Sequence, residues 1–320
     1  MPDFDPLAGP GCIVLAAYQP DSERFGRQLR SIADQEIEDW TCVITADGEP
    51  DHVEAMVKRL VGPDSRFTVV GSLERVGFYR NFERGLAAAP REATWVALAD
   101  QDDYWYPAKL STLLPHLRGA ALVSGQAMVR RPNLLPERTH RRDVPVSALL
   151  VDNQVTGSFS AFRAELLEVC LPFPEPADGA YHDHWLGLCA KVMGGATFVD
   201  EVVQDYVQHG ANVIGESEHE PVISRVRRIR LAAQGGAALA VLGERLEWRR
   251  RMAGTLLSRT VPDRDQAVAL RLWAGTHRFR LAASIITTAA RRQSPPLRAA
   301  SLALAAATTA SSATVREDEL

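Results

Sequence analysis

Cysteine is scarce in this sequence, with four residues in 320, and no two of them form a CxxC pair. Their wide spacing excludes the usual patterns of a structural zinc site and of a small disulfide framework. Two of the four lie inside apolar runs, which predicts buried thiols in a reducing compartment. The four positions are Cys12, Cys42, Cys170 and Cys189.

Long hydrophobic runs are also missing. The longest apolar stretches, LAASIITTAA (281–290) and LRAASLALAAATTASS (297–312), are divided by Arg291, Arg292 and a proline pair. Neither stretch reaches the roughly 20 residues that a membrane-spanning helix needs. The first ten residues, MPDFDPLAGP, contain no basic region followed by an apolar stretch, so we expect no secretory signal. These features predict a cytoplasmic protein.

The sequence does contain enough apolar material for a substantial core, with 46% hydrophobic residues against 24% charged. Its length favours one large domain with an appendage. Charge is divided unevenly: residues 1–220 carry 19 Lys and Arg against 33 Asp and Glu, a net of −14, whereas residues 221–300 carry 16 Arg against 4 acids, a net of +12. The last 20 residues add −2, which restores the formal net charge of −4. The two parts are therefore expected to face different partners.

Short apolar runs alternate with helical patterns over the first 100 residues. This alternation predicts a mostly parallel sheet flanked by helices, in which ligands bind at the carboxyl ends of the strands. Three residues fall at such ends, namely Tyr18, Asp47 and Asp100. The predicted strands cover residues 11–18, 40–47, 66–72 and 94–100.

The C-terminal third has a different pattern. From 216 to 313 the sequence is rich in Arg, Ala and Leu at helical spacing, with few β-branched clusters. We therefore predict a principal α/β domain over 1–215 and a helical C-terminal region over 216–320.

The segment ALADQDDYW (97–105) ends an apolar run with three acids in four positions, Asp100, Asp102 and Asp103. Two carboxylates about 5 Å apart repel by roughly 3 kcal/mol at an effective dielectric constant of 20, so a cluster of three is unfavourable without a cation among them. A strand end followed by a turn would account for one acid, but not for three. The cluster therefore favours a hard-cation site for Mg²⁺ or Mn²⁺, in which phosphate oxygens complete the coordination shell.

Seven segments, in order, resemble those of family 2 glycosyltransferases, particularly bacterial rhamnosyltransferase-like members. DQDDYW is similar to the DxD segment of that family, and DYVQHGANVIG (205–215) is similar to its YRQHGNNVIG motif. The similarity covers about residues 11 to 215. The remaining segments are AAYQP (16–20), TADGEPD (45–51), ERVGFYRNFERGL (74–86), NQVTGSFSAFR (153–163) and YHDHWLGLCA (181–190).

The resemblance implies a GT-A fold, a nucleotide-sugar donor, a divalent cation and transfer with inversion at the anomeric carbon. Carried over by position, Asp102 would be the principal metal ligand, with Asp100 contacting the ribose or the metal and His209 a further metal or diphosphate contact. The other implied donor contacts are Ala17, Tyr18, Asp47, Arg80 and Asn81. Two departures bear on donor identity: Ala46 replaces the first acid of DDGS, and Val207 replaces the Arg of YRQHG.

The segment YHDHWL supplies a candidate general base, Asp183. An inverting displacement needs a group that takes the proton of the acceptor hydroxyl, and one positioned carboxylate suffices. The alternative is that Asp183 caps the helix that follows, and the two roles are compatible. The resemblance places Thr156, Gly157 and His182 on the acceptor side. Trp105 and Trp185 could each be core residues or sugar-stacking platforms, and we favour acceptor stacking for Trp185.

Several alternatives remain open from sequence. A sugar-1-phosphate nucleotidyltransferase would need a Gly-rich loop with Arg or Lys after the first strand, and AAYQPDSE has none. A sugar-nucleotide or carbohydrate-binding protein without turnover is the non-enzyme alternative, which the retained Asp102 and Asp183 disfavour.

The arginine runs RVRRIR (225–230) and WRRRM (248–252) have no interleaved aromatic residues, so we do not expect nucleic-acid binding. They could form a solvated helix face, or could attract anionic headgroups at the inner face of a membrane, where each basic side chain contributes about 1 kcal/mol. The latter would suit a glycan or lipid-linked acceptor.

Overall fold

The computed structural model describes residues 5–177, 179–208 and 237–308. The chain divides into two compact units. The first comprises residues 1–143, 154–173 and 181–210, and the second comprises 144–153, 174–180 and 211–320. The second unit thus also takes in two short segments from the middle of the chain. The predicted boundary at 215 falls between residues 208 and 237, outside the described residues, and stays a prediction.

The first unit is built on a mixed sheet whose strands follow the order β3-β2-β1-β4-β8-β6-β9-β5, with β7 paired to β6. β1, β2, β3 and β4 run parallel, and β8 is antiparallel to both β4 and β6. The strands are β1 (Gly11–Ala17), β2 (Trp40–Asp47), β3 (Phe67–Ser72), β4 (Trp95–Ala99), β5 (Tyr104–Trp105), β6 (Leu122–Arg130), β7 (Glu137–Arg138), β8 (Ser160–Arg163) and β9 (Ala196–Val207).

Helices flank this sheet, and the second unit is helical where it is described. The helices are α1 (Ser22–Ala33), α2 (Pro50–Val61), α3 (Gly77–Ala87), α4 (Lys109–Leu113), α5 (Val146–Leu149), α6 (Leu167–Cys170), α7 (His182–Met193), α8 (Ala237–Arg259), α9 (Arg264–Ala274), α10 (Arg278–Ala290) and α11 (Pro296–Thr308). Short 3₁₀ turns lie at Leu114–Arg118, Gly157–Phe159 and Ala164–Leu166.

Local sequence explains the first βα unit. β1 is a nearly continuous buried run, as expected for a strand covered on both faces. α1 begins after Asp21, whose side chain accepts a hydrogen bond from the Arg24 amide, and its residues Phe25, Leu29 and Ile32 are fully buried.

Strand register brings the predicted site positions to one edge of the sheet. Ala17 lies opposite Ala46, and Leu15 lies opposite Ala99. The residues at the carboxyl ends of these strands, Tyr18, Asp47 and Asp100, therefore lie side by side. Since β8 runs antiparallel to β4, the residues just before β8 reach the same edge. β9 runs parallel to β6, which places its carboxyl end there as well.

Candidate active site

The three acids after β4 have different environments. Asp103 is fully buried; its Oδ2 accepts a hydrogen bond from Gln204 Nε2 at 2.7 Å and its Oδ1 accepts one from the Val207 amide at 3.1 Å. Burial raises the pKa of the Asp103 carboxyl. Asp103 therefore ties the acidic loop to the end of β9, whereas Asp100 and Asp102 are partly exposed.

Asp100 is the electrostatic centre of the cluster. Burial, together with the charges of Asp102 and Asp183, raises the pKa of its carboxyl to about 7, while a hydrogen bond with Ser158 acts in the opposite direction. Asp183 is 83 positions away in the chain, so its influence on Asp100 means that α7 and the acidic loop present their carboxylates to a common region. The sequence-predicted metal and base residues are brought together in the fold.

A buried lysine lies beneath this cluster, and no feature of the sequence indicates its role. The Lys109 side chain is fully buried; its Nζ donates hydrogen bonds to the Ser158 carbonyl and to Gln204 Oε1, and it lies 3.6 Å from the centroid of the Trp105 ring. Burial lowers the pKa of this amine, and Asp103 and Asp100 oppose the effect. Gln204 thus bridges the lysine and Asp103 through its two amide atoms.

Asp183 is half-buried in the first turn of α7. The helix N-cap is Tyr181, so the expectation that Asp183 caps the helix is wrong: the helix begins at His182, one residue before it. Its Oδ2 accepts a hydrogen bond from the Gly157 amide at 3.4 Å, which links α7 to the turn before β8. An acid in a first helical turn also interacts favourably with the helix dipole.

His182 is buried and held by aromatic contacts. Its ring stacks on Phe82 with centroids 3.8 Å apart, and neither ring nitrogen has a hydrogen-bond partner among the described residues. Burial lowers the pKa of its imidazole to about 3, so the ring is neutral at physiological pH. A Cβ at Gly157 would lie 2.6 Å from His182 Nε2, so glycine is needed there. Thr156, one residue earlier, is partly exposed at the same edge.

Both candidate sugar-stacking tryptophans are core residues, which corrects the stacking interpretation. Trp105 and Trp185 are each 0% exposed. The Trp185 indole donates to the Cys170 carbonyl at 2.9 Å, and the Trp105 ring faces Lys109. A ring with no exposed face cannot stack on a sugar, so neither residue is retained as an acceptor contact.

An open cleft of about 200 Å³ lies beyond the carboxyl ends of β1 and β2. The Tyr18 ring, 36% exposed, lies under the Arg75 guanidinium at 4.1 Å, and the main chain of Tyr18 exchanges two hydrogen bonds with the Gln101 side chain. This exchange fixes the end of β1 to the acidic loop. Ala17 is 1% exposed, so it could meet a ligand only through its backbone.

Asp47 also lines this cleft, and its side chain holds the start of α3. Its two carboxylate oxygens accept hydrogen bonds from the Val76 amide at 2.6 Å and the Gly77 amide at 3.0 Å, at the start of α3. Arg75 lies 3.9 Å from the same carboxylate. Because each carboxylate oxygen has two lone pairs, Asp47 retains capacity to accept a further bond from a ligand.

The other predicted donor contacts on α3 have structural partners. Asn81 is 2% exposed and exchanges hydrogen bonds with Thr45 at 2.8 Å, which fixes α3 to β2. Arg80 donates to Glu83 at 2.6 Å and to the Phe173 carbonyl at 3.3 Å. Asn81 thus faces the core, and sequence reasoning overlooked Arg84, which contacts both Asn81 and the Ala46 carbonyl.

The residues at the acidic edge fit a divalent cation held jointly with a ligand. No group of three or more His, Cys, Asp or Glu side chains forms a complete metal cage in the described ranges. Mg²⁺ is usually held by one or two carboxylates together with phosphate oxygens and water, and the repelling pair Asp100 and Asp102 offers such a partial shell. The third predicted ligand, His209, lies outside the described residues.

The raised pKa of Asp100 predicts an unusual pH dependence of stability. An aspartate in the unfolded chain ionises near pH 4, whereas folded Asp100 keeps its proton to about pH 7. The folded state therefore binds more protons between these values, and this carboxyl stabilises it below pH 4 and loses that stabilisation as pH rises through 7. The loss is at most about 1.4 kcal/mol per pH unit.

We expect Asp102→Asn to reduce the loss of stability with rising pH, because the variant removes a negative charge that raises the pKa of Asp100. Denaturant unfolding of metal-free protein at a series of pH values, with wild type and variant in parallel, measures it. Equal slopes for the two proteins would contradict the coupling of Asp100 with Asp102.

No helix within the described parts of the chain is both long and apolar enough to cross a membrane.

Comparison with known proteins agrees with the geometry. Among solved structures, the chain is similar to TarS 1-349 from S. aureus in complex with UDP-GlcNAc, with 13% identity, 91% of this chain and 89% of that chain covered, and a TM-score of 0.55. It is also similar to the mannosyltransferase PcManGT from Pyrobaculum calidifontis in complex with GDP-Man and Mn²⁺, with 19% identity, 95% and 87% covered, and a TM-score of 0.51. At these identities the likeness concerns the fold alone. None of the curated proteins matches the chain.

A family model supplies the remaining evidence. Residues 12–169 match Glycosyl transferase family 2, a segment that contains β1 to β8 and the acidic loop. With its GT-A-like mixed sheet, this chain is a glycosyltransferase whose residues 12–169 match family 2.

Proposed function

We propose that the protein transfers a sugar from a pyrimidine-nucleotide diphosphate donor to a hydroxyl of a glycan or lipid-linked acceptor, with a divalent cation and with inversion at the anomeric carbon. A UDP-sugar or dTDP-rhamnose is the proposed donor, and dTDP-rhamnose leads on resemblance. Two structural neighbours support a nucleotide-sugar donor, since one carries UDP-GlcNAc and the other GDP-Man with Mn²⁺.

One observation carries the proposal. Asp183 on α7 accepts a hydrogen bond from the Gly157 amide, and the side chain of the next residue, Ser158, hydrogen-bonds to Asp100 after β4, so carboxylates from two distant segments meet beside one turn. They do so at the edge where the cleft beside Tyr18 opens. Like charges brought together in this way need a cation or a proton among them, and a diphosphate with its cation meets that need.

Asp183 is the proposed general base. In the transfer, a bond forms between the acceptor oxygen and the anomeric carbon while the bond from that carbon to the diphosphate breaks. The acceptor proton passes to the Asp183 carboxylate, and the electron pair of the broken bond leaves with the diphosphate. The Gly157 amide and the first turn of α7 favour the ionised form of Asp183, which a base requires.

Asp102 and Asp100 are the proposed metal ligands. A bound Mg²⁺ or Mn²⁺ would neutralise charge on the leaving diphosphate. Asp103, Gln204 and Lys109 hold the loop that carries these ligands, and the loop is therefore anchored before any ligand arrives.

The cleft beside Tyr18 is the proposed nucleoside site. The Tyr18 ring, partly exposed, can pack against a base, and Asp47 can accept a hydrogen bond from a pyrimidine N–H. Arg75 lies at the mouth of the cleft and is 63% exposed at its side chain, so it is free to turn toward a phosphate or base.

Donor hydrolysis tests the function. Wild-type protein is incubated with UDP-GlcNAc, UDP-glucose, dTDP-rhamnose and GDP-mannose, each with Mn²⁺ and with EDTA. We expect nucleoside diphosphate release from one pyrimidine donor, dependent on Mn²⁺. Tight binding of donors without release would favour a binding protein. Formation of nucleoside triphosphate from pyrophosphate and donor would identify a nucleotidyltransferase.

A lipid-linked acceptor would bring the enzyme to a membrane surface. We propose peripheral association with the anionic inner face of the membrane as part of the function. The basic part of the chain is the region to examine for it.

A further inference from the structure

The arginine run WRRRM does not form a surface patch. Arg249 and Arg250 are 9% and 8% exposed, and Arg249 donates hydrogen bonds to the Leu150 carbonyl at 2.6 Å and to the Arg245 carbonyl at 2.7 Å. Arg251 donates to the Glu175 carbonyl at 2.9 Å. Arg249 and Arg250 belong to the interior of the second unit and Arg251 is partly exposed, so this run adds little to the exposed positive charge.

Much of that charge lies on and beside α10. Residues 266–316 contain no Asp or Glu. On and beside α10, four arginines are exposed, at positions 278, 280, 291 and 292. The one arginine of α11, Arg298, forms an ion pair with Asp152. Because α10 and α11 contain no acid of their own, the exposed arginines around α10 attract anions.

α10 also presents an apolar stripe on the side opposite its buried residues. The helix buries Leu281, Ile285 and Thr288. The opposite side exposes Phe279, Ala283, Ile286 and Ala290, at the spacing i, i+4, i+7 and i+11. Phe279 is 71% exposed and Ile286 is 47% exposed, which is unusual for large apolar side chains placed in register.

α11 repeats the arrangement. Its buried residues include Leu302 and Ala306, and its exposed side carries Leu297, Ala300 and Leu304 at the spacing i, i+3 and i+7. Leu297 and Leu304 are 44% and 52% exposed. Each helix therefore has a buried face inside the second unit and a second apolar face in contact with solvent.

We propose that α10 and α11 form a docking face for an anionic lipid bilayer, with the apolar stripes entering the headgroup region and the arginines contacting lipid phosphates. The combination of an apolar stripe, flanking arginines and no acid is that of helices which lie in a membrane interface. A partner of acidic protein surface would pair with the arginines but would leave the stripe of Phe279 and Ile286 exposed. The inference deepens the proposed function, since it names the surface that would bring the enzyme to a lipid-linked acceptor.

Vesicle flotation of the full chain tests the face. The probes are vesicles of phosphatidylglycerol mixed with phosphatidylcholine, and vesicles of phosphatidylcholine alone. We expect binding to the anionic vesicles, weakened by salt. The double variant Phe279→Ser with Ile286→Ser should bind at least about 10-fold more weakly, because two large apolar side chains leave the interface. Arg280→Gln with Arg291→Gln should lose about 10-fold as well.

Two exposed residues of the first unit supply matched controls. Leu135 is 89% exposed and Arg91 is exposed, so Leu135→Ser and Arg91→Gln remove the same kinds of side chain elsewhere. Unchanged vesicle binding in both controls is expected. Equal losses in controls and α10 variants, or no binding of wild type to anionic vesicles, would overturn the proposal. Self-association of wild type that the Phe279 and Ile286 variant abolishes, without vesicle binding, would overturn it in favour of a second copy of the chain.

Donor hydrolysis separates this inference from the proposed function. All these variants should hydrolyse donor at the wild-type rate, because none of them lies in the first unit's acidic edge or cleft. Vesicle binding without donor hydrolysis in the wild type would contradict the proposed function alone. Donor hydrolysis without vesicle binding would contradict the docking face alone.

Discussion

Asp183→Asn is expected to slow transfer by about 10² to 10⁴-fold, the usual contribution of a positioned general base. Asparagine has nearly the same shape, and its Oδ1 can still accept a hydrogen bond from the Gly157 amide. It cannot take a proton from the acceptor at neutral pH. Donor affinity should stay close to wild type, because the diphosphate and its cation depend on Asp100 and Asp102.

The measurement compares turnover, donor Kd and Tm on one preparation of the variant. Loss of the helix-dipole interaction in the first turn of α7 costs at most about 1 kcal/mol, which lowers Tm by roughly 2 to 4 °C. The matched control is Asp265→Asn, an exposed acid in the first turn of α9 in the second unit, where the same dipole effect applies away from the proposed site. Turnover within a few-fold of wild type would remove Asp183 from the role of base.

Asp102→Asn is expected to lose the cation-dependent part of donor binding, by at least 10 to 100-fold, since even residues that only orient metal ligands have effects of that size. The fold should persist, because the change removes one of several mutually repelling carboxylates. Calorimetric titration with UDP or dTDP, with and without Mn²⁺, measures the effect. Asp265→Asn again serves as the control, and undiminished Mn²⁺-dependent binding to Asp102→Asn would contradict the metal assignment.

The sheet and the position of the candidate site could be predicted because both depend on local pattern. β2 spans the predicted residues 40–47, and β1, β3 and β4 differ from prediction by one or two residues at their ends. Strands that are buried on both faces read as continuous apolar runs. The polar residues at the carboxyl ends of these strands, Tyr18, Asp47 and Asp100, must then meet at one edge of a parallel sheet.

The inner residues of the site could not be predicted, since their roles depend on distant partners. Asp103 bonds to the Val207 amide 104 positions away, and Lys109 bonds to Gln204 95 positions away. In sequence these residues resemble an exposed acid and an exposed base. Only the fold shows that Asp103 is a buried residue that holds the acidic loop and that Lys109 is its buried counter-charge.

The positions of the two tryptophans and of the arginine run WRRRM could not be predicted for a related reason. An indole beside a site motif can be a platform or a core residue, and only burial decides; Trp105 and Trp185 are both core. An arginine run can be a surface or an interior, and Arg249 and Arg250 belong to the interior. The arginines on and beside α10 do not form one run in sequence, yet Arg278, Arg280, Arg291 and Arg292 are all exposed.

The antiparallel insertion of β8 between β4 and β6 was also beyond the local pattern. Within the segment NQVTGSFSAFR (153–163), only Ser160–Arg163 is a strand, and Gly157–Phe159 forms a 3₁₀ turn before it. The turn brings the Gly157 amide to Asp183. Strand direction depends on which neighbours pair, and residue types alone do not encode it.

A crystal structure with UDP and Mn²⁺ bound would test the central claim most directly, through the anomalous signal of manganese. We expect manganese about 2 Å from a carboxylate oxygen of Asp102, with the diphosphate bound to the same ion and the uracil ring in the cleft beside Tyr18. Manganese away from Asp100 and Asp102, or UDP bound elsewhere on the first unit, would contradict the assignment of this edge as the donor site.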